Sequence, residues 1–310
     1  MVGPGAIGGF LAARLALAGW PVRVLARGAT AAALRAGPMR LLDDGEELSV
    51  GLEVAGDPAA PPPELVLVTV KSYDTAGATR SLAAAVGPGT VVLSLQNGVD
   101  NPEALAAALP GAAVGAAAVY LGCQRTAPDA VVRRPSRDPA TGRLRDRLAG
   151  GGPGPCRRML ERVGAAAGVP VEAAEDPRPA LWTKLVANAS LNTVTALGRT
   201  RVGPLFADPD ATELMRLIGR EVTAVARAGG IDVAPDAGDA YVDDASRRLP
   251  PDGGSSTLFD LEAGRRLERD ALIGAVVRHG DRLGVPVPVS RTCAALLELA
   301  DPWQEPARAG

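Results

Sequence analysis

The stretch GPGAIGGFLAARLALAGWPVRVLAR, residues 3–27, decides how the rest of the chain is read. Gly3, Gly5 and Gly8 satisfy the spacing G-x-G-x-x-G. Residues 6–18 are rich in Ala and Leu and predict a helix, which Gly19 ends. PVRVLA (21–26) then predicts a strand. Turn, helix and strand in that order make a dinucleotide-binding unit. Its first glycine permits the tight turn, the second lets backbone approach a pyrophosphate, and the third allows close helix–strand packing. The helix start attracts the anion. Only Met1 and Val2 precede Gly3, where the motif normally follows a complete strand. The central strand is therefore expected to be truncated, which points to an upstream start or a trimmed chain and predicts impaired folding. Arg27 ends the second strand, where an NAD-specific unit carries Asp or Glu for the ribose 2′-OH. A cation there suits a 2′-phosphate and favours NADP(H); the plainer alternative is a solvated surface arginine.

Working outward, 310 residues suffice for two domains, and 47% apolar with 22% charged residues supplies a normal core. Gly and Pro make up about a fifth of the chain, below the level of low-complexity sequence. A net charge of -2 gives no basic excess for a phosphate backbone, which argues against nucleic acid. No 18-residue apolar run predicts a membrane span, and the first residues lack the pattern of a secretion signal. Three scattered cysteines and one histidine, His279, support neither a disulfide framework nor a metal site. A cytoplasmic protein is expected.

Two residue types are scarce. Lys occurs only at 71 and 184, beside 31 arginines, and Asn only at 97, 101, 188 and 192. Arg is a fixed cation, whereas a Lys pKa can be moved into a catalytic range. The apolar run 65–70 predicts a buried parallel strand with Lys71 at its carboxyl end, where ligands bind in open α/β sheets. TVVLSLQNGVDN (90–101) repeats the pattern with Asn97 and Gly98. Residues 112–122 predict a further strand, 134–155 a loop or hairpin excursion, 156–168 a helix and 169–174 a strand. From 177 the pattern turns helical, over 179–198, 207–230, 236–248, 260–284 and 290–300. The expected class is α/β, with a dinucleotide-binding domain over 1–176 and an all-helical domain over 177–310.

In that helical part, Lys184, Asn188 and Asn192 recur at i, i+4 and i+8, within about 80° of arc on one α-helical face. Asn is a poor helix former. Three such groups on an otherwise apolar helix suit an oxygen-rich substrate; the alternative is a solvent-facing polar stripe. Ser255 and Ser256 mark a helix start. Glu268, taken alone, is one acid in an Arg-rich stretch. His279, before Gly280, is read as a helix C-terminal residue.

GPGAIG (3–8), VKSYDT (70–75), LQNGVDN (95–101), WTKLVANASLNTVTAL (182–197) and SST…LERDALIGAVVRHGDRLGVPVPV (255–289) together resemble the ketopantoate reductase (2-dehydropantoate 2-reductase) family, in order and spacing, over nearly the whole chain. The resemblance implies a Rossmann-type first domain and NADPH-dependent reduction of ketopantoate to pantoate, in pantothenate biosynthesis. It implies that Lys184 is the proton donor, Glu268 the essential glutamate, Asn188 and Asn192 substrate ligands, and Ser256 the carboxylate ligand. Gly3, Gly5, Ala6, Ile7, Gly8, Arg27, Lys71 and Asn97 correspond to cofactor-binding positions, and no metal is required. Many members carry Asn three residues before the substrate serine, where this chain has Gly253. That departure keeps open another branched 2-oxo acid as substrate, and the short first strand keeps open a non-catalytic NADP(H)-binding regulator. The expected partner is a small-molecule 2-oxo acid, with neither membrane nor nucleic acid; a homodimer is left open.

Overall fold

The computed structural model describes residues 1–55 and 62–303. The chain divides into two compact units, Met1–Ala180 and Leu181–Gly310, and the division falls inside the helix Arg178–Ala187.

The first unit contains strands β1 (Arg23–Leu25), β2 (Met39–Asp43), β3 (Glu46–Val50), β4 (Glu53–Ala55), β5 (Leu65–Val68), β6 (Val91–Ser94), β7 (Ala113–Tyr120), β8 (Cys123–Ala127), β9 (Ala130–Arg133), β10 (Arg147–Gly151) and β11 (Val171–Ala174). β5, β6 and β7 are parallel neighbours, β10 runs antiparallel beside β7, and β11 closes that edge parallel to β10. β1 pairs with β4. A short first strand joins the two groups. Val2, only 4% exposed, bridges Leu25 on one side and Val68 on the other. Its N–H donates to Leu67 O (2.8 Å) and its carbonyl accepts from Thr69 N (2.9 Å). Across the other edge, Leu25 N donates to Met1 O (2.8 Å) and Gly3 N to Leu25 O (3.1 Å). The order is thus β4-β1-Val2-β5-β6-β7-β10-β11, and the glycine turn leaves the sheet where the strand order reverses, the ligand crevice of doubly wound folds.

Period-two alternation explains why helices lie on both faces. Leu67, Val91 and Leu93 point into a core with Phe10, Leu11 and Leu160 from the helices Ala6–Leu17 and Pro155–Ala167. Val66, Val68 and Val92 point the other way, onto Ala78, Leu82 and Leu105 of the helices Thr75–Leu82 and Asn101–Ala108.

A second sheet, β3-β2-β9-β8, covers the helix Ala6–Leu17. A Cβ on Gly9 of that helix would come 2.8 Å from Val131 Cγ2 of β9, so the glycine sets the packing distance. Arg133 ties this layer down by donating to Asp43 (2.8 Å) and Asp146 (3.1 Å), all three buried.

Two expectations are corrected. Residues 134–155 are not merely an excursion, because 147–151 form β10 within the main sheet. Its Gly150 permits an approach that a side chain forbids, since a Cβ there would lie 2.6 Å from Ala116 O. The helix expected over 260–284 is two helices, Ser256–Glu262 and Ile273–Leu283. The first stops at Gly264, whose φ of +64° lies in the left-handed region that ends helices.

The second unit is helical throughout, with Met215, Ile218 and Val222 of the helix Pro209–Ala228 among its most buried residues. Among the described residues no helix is long and apolar enough to cross a membrane.

Candidate active site

In the first unit, each motif glycine meets a different steric demand. Gly3 has φ +84°, and a Cβ there would lie 2.5 Å from Val70 Cγ1. Gly8 is pressed against the turn itself, because its Cβ would meet Thr69 Oγ1 at 2.3 Å and Gly3 O at 2.4 Å. Beside Gly5 the space is open, since a Cβ there would come no closer than 4.0 Å to Gly3 O. Ala6 and Ile7 begin the helix, whose first turn carries neither an acidic residue nor a side-chain cap. Free helix N–H groups above an unobstructed glycine fit a pyrophosphate. Thr69 secures the turn by donating to Gly3 O (2.7 Å), a contact that the sequence reading missed.

Arg27 stands exposed just past β1. Lys71 and Asn97 lie in the loops that follow β5 and β6. One buried network fixes both loops. Gln96 Nε2 donates to Val70 O (3.0 Å) and to Thr75 Oγ1 (2.8 Å). Thr75 Oγ1 donates to Asn101 Oδ1 (3.0 Å), and Asn101 Nδ2 to Asn97 O (2.7 Å). Gln96 and Thr75 stand inside the two motifs quoted from the sequence with no signal of their own, and Asn101 stands out there only as one of four asparagines.

In the second unit, the Lys-Asn-Asn helix is not uniform. Arg178–Ala187 is α-helical, Asn188–Asn192 is a π-helical segment, and Thr193–Gly198 is α-helical again. A π turn holds one residue more than an α turn, so Asn192 rotates back towards the line of Lys184 and Asn188. Hydroxyls sustain the widened turn: Ser190 Oγ donates to Val186 O (2.8 Å) and Thr195 Oγ1 to Leu191 O (2.7 Å). Lys184 and Asn188 are half-buried and Asn192 is buried, so the three do not form a solvent-facing stripe.

Asn192 Nδ2 donates to Ser256 Oγ (3.4 Å). The two serines divide the labour at the start of the helix Ser256–Glu262. Ser255 is buried, accepts from Leu258 N (3.1 Å) and shares a 2.7 Å hydrogen bond with Thr195 Oγ1, while Ser256 is exposed. Glu268, 6% exposed, occupies the break between the two helices, at the head of the short 3-10 turn Arg269–Ala271. Burial pushes the Lys184 ammonium down to about 8, and the Glu268 carboxylate opposes that fall. The lysine therefore holds a proton at neutral pH that it can give up.

His279 does not end its helix, which runs on to Leu283. Its ring instead meets Trp182 edge-on, with centroids 5.1 Å apart. Gly253 sits in a closed turn, donating to Pro250 O (2.9 Å); a Cβ there would lie 2.9 Å from that same oxygen. The turn occupies the room a side chain would need.

Two family models match the chain: ketopantoate reductase PanE/ApbA over residues 1–143, and the C-terminal part of ketopantoate reductase PanE/ApbA over residues 176–301. The 2-dehydropantoate 2-reductase of Archaeoglobus fulgidus is 33% identical over 301 residues, covering 96% of this chain and 95% of its own. Among solved structures, a PanE/ApbA family ketopantoate reductase from Ralstonia eutropha JMP134 gives a TM-score of 0.85 at 35% identity, with 97% of this chain and 98% of that one covered. A D-mandelate dehydrogenase, solved as a ternary structure with NADH and anilino(oxo)acetate, gives a TM-score of 0.84 at 16% identity over 97% of this chain and 98% of its own, a likeness of fold alone.

Proposed function

The chain belongs to the ketopantoate reductase family and is an oxidoreductase using a nicotinamide cofactor, and we propose that it reduces 2-dehydropantoate to pantoate with NADPH, Lys184 giving the proton. The observation that carries this reading is the half-buried lysine with its pKa lowered to about 8, a buried glutamate acting on it, and two asparagines on its own helix.

When bound, the reduced nicotinamide supplies the hydride to the carbonyl carbon. Negative charge then builds on the carbonyl oxygen. The Lys184 ammonium stabilises that charge and transfers its proton to the oxygen, forming the hydroxyl; solvent reprotonates the amine. Glu268 keeps the ammonium charged and orients it. Asn188 and Asn192 donate amide N–H groups to the substrate's oxygens, and Ser256 holds its carboxylate, so the carbonyl is fixed before reaction. Gly3, Gly5, Ala6, Ile7 and Gly8 would hold the cofactor's pyrophosphate, Lys71 and Asn97 would bind it from the neighbouring loops, and Arg27 would bind the 2′-phosphate.

The test is turnover of a 2-oxo-acid panel with NADPH and with NADH, followed by loss of nicotinamide absorbance. Fastest turnover of 2-dehydropantoate with NADPH supports the reading. A specific observation favours one second reading: the closed turn at Gly253 suits a different branched 2-oxo acid, which the same panel identifies.

A further inference from the structure

We infer that Arg80 is a second cation for the cofactor's 2′-phosphate, set against Arg27 across the bare backbone of Gly77. The inference rests on the NADPH reading given above and deepens it.

Gly77, Arg80 and Ser81 all belong to the helix Thr75–Leu82, which follows the loop carrying Lys71. Arg27 reaches this helix from the end of β1. A Cβ on Gly77 would lie 3.8 Å from Arg80 Nη2 and 3.9 Å from both Arg27 Nη1 and Nη2. The two guanidiniums therefore border one small space, and glycine leaves it empty of side chain. Ser81 fixes one side of it. Its hydroxyl donates to Gly77 O (3.1 Å) and accepts a long hydrogen bond from Arg27 Nη2 (3.5 Å), which favours the placement of the exposed guanidinium beside the helix.

Charge makes this more than a chance approach. Many arginines of this chain pair with an aspartate or glutamate, as Arg40 does with Asp129. Among the described residues, neither Arg27 nor Arg80 meets a carboxylate. Two like charges brought together without a counterion repel each other, and an anion placed between them removes the cost. Guanidiniums bind phosphate oxygens with paired N–H donors, and two of them discriminate a phosphate monoester from a ribose hydroxyl better than one. The place is the end of the strand after the glycine motif, where a dinucleotide presents its adenosine ribose. Arg80 is thus a specificity residue for NADPH over NADH, and Ser81 a positioning residue that acts through Arg27.

The test measures dissociation constants of the full-length protein for NADPH and NADH by nicotinamide fluorescence, and for 2′,5′-ADP and 5′-ADP by calorimetry. Arg80→Ala is expected to weaken NADPH and 2′,5′-ADP about tenfold or more while NADH and 5′-ADP stay within about twofold. Arg80→Lys should recover part of the loss. Gly77→Asp, which puts a carboxylate between the guanidiniums, should produce the same selective loss. Ser81→Ala should narrow the preference by a smaller factor. NADH affinity serves throughout as the check that the fold survives. If Arg80→Ala and Gly77→Asp leave NADPH affinity within about twofold while Arg27→Ala weakens it, the role of Arg80 is overturned and the NADPH reading stands. If the unmodified protein binds NADPH and NADH alike, the cofactor reading itself fails, and the inference with it.

Discussion

Glu268 acts on Lys184 from the interruption between the helices Ser256–Glu262 and Ile273–Leu283. A continuous helix would carry that carboxylate elsewhere. Left to burial alone, the lysine would lose its proton more readily; the glutamate restrains that loss and leaves the ammonium at about 8. A proton donor works best with a pKa near the operating pH.

The sign of the pH dependence follows. With Lys184 as the proposed proton donor, its protonated form is the active one for reduction, so kcat/KM should be level below pH 8 and fall above it as Lys184 titrates. Glu268→Gln removes the opposing charge, so its alkaline limb should move to lower pH. Stability moves the other way. The folded pKa lies below the ordinary lysine value of 10.5, so between about 8 and 10.5 the unfolded chain binds more protons and the contribution of Lys184 to stability improves as pH rises. Thermal melts of the natural protein and Lys184→Met over this range measure that difference.

Asn192→Ala removes the amide bonded to Ser256. With Asn192 donating to a substrate oxygen as proposed, the loss of that hydrogen bond should lower kcat/KM by roughly 10- to 100-fold. NADPH affinity, measured by fluorescence, should not change.

Gln96→Leu cuts the bridge between the loops that carry Lys71 and Asn97. It leaves Val70 O and Thr75 Oγ1 short of a donor, which should cost about 1–3 kcal/mol of stability. Cofactor affinity should weaken along with the melting temperature, because both loops lose their fixed spacing.

Arg133→Ala leaves Asp146 buried without its cation and Asp43 with Arg14 alone, 3.6 Å away. Breaking a buried pair from one side typically costs about 3–5 kcal/mol. Urea unfolding of the first unit should show it, while the pKa-dependent behaviour of Lys184 in the second unit stays as it was.

Much of the fold was readable because its signals are local. The glycine spacing at 3–8 and the continuous apolar runs in β5 and β6 need no knowledge of distant partners. β10 was not readable, since Gly150 and Gly151 are poor strand formers and earn their place only against Ala116 and Ala117 of β7. The helix break at Gly264 was masked by apolar residues on both sides of it. The π segment was hidden because it differs from an α-helix by one residue per turn, with the same composition. At the site, rarity exposed Lys184 and the asparagines. Gln96 and Thr75 escaped because tertiary pairing alone gives them their role, and the role proposed for Arg80 has no local signal among 31 arginines.

The central claim is that the Lys184 amine delivers the proton to the ketone oxygen, and Lys184→Ala tests it most directly. With NADPH and 2-dehydropantoate, kcat should fall about 10²- to 10⁴-fold while the NADPH dissociation constant, titrated on the same preparation, stays within about twofold. A variant that binds NADPH normally and turns over at the unmodified rate would contradict the account.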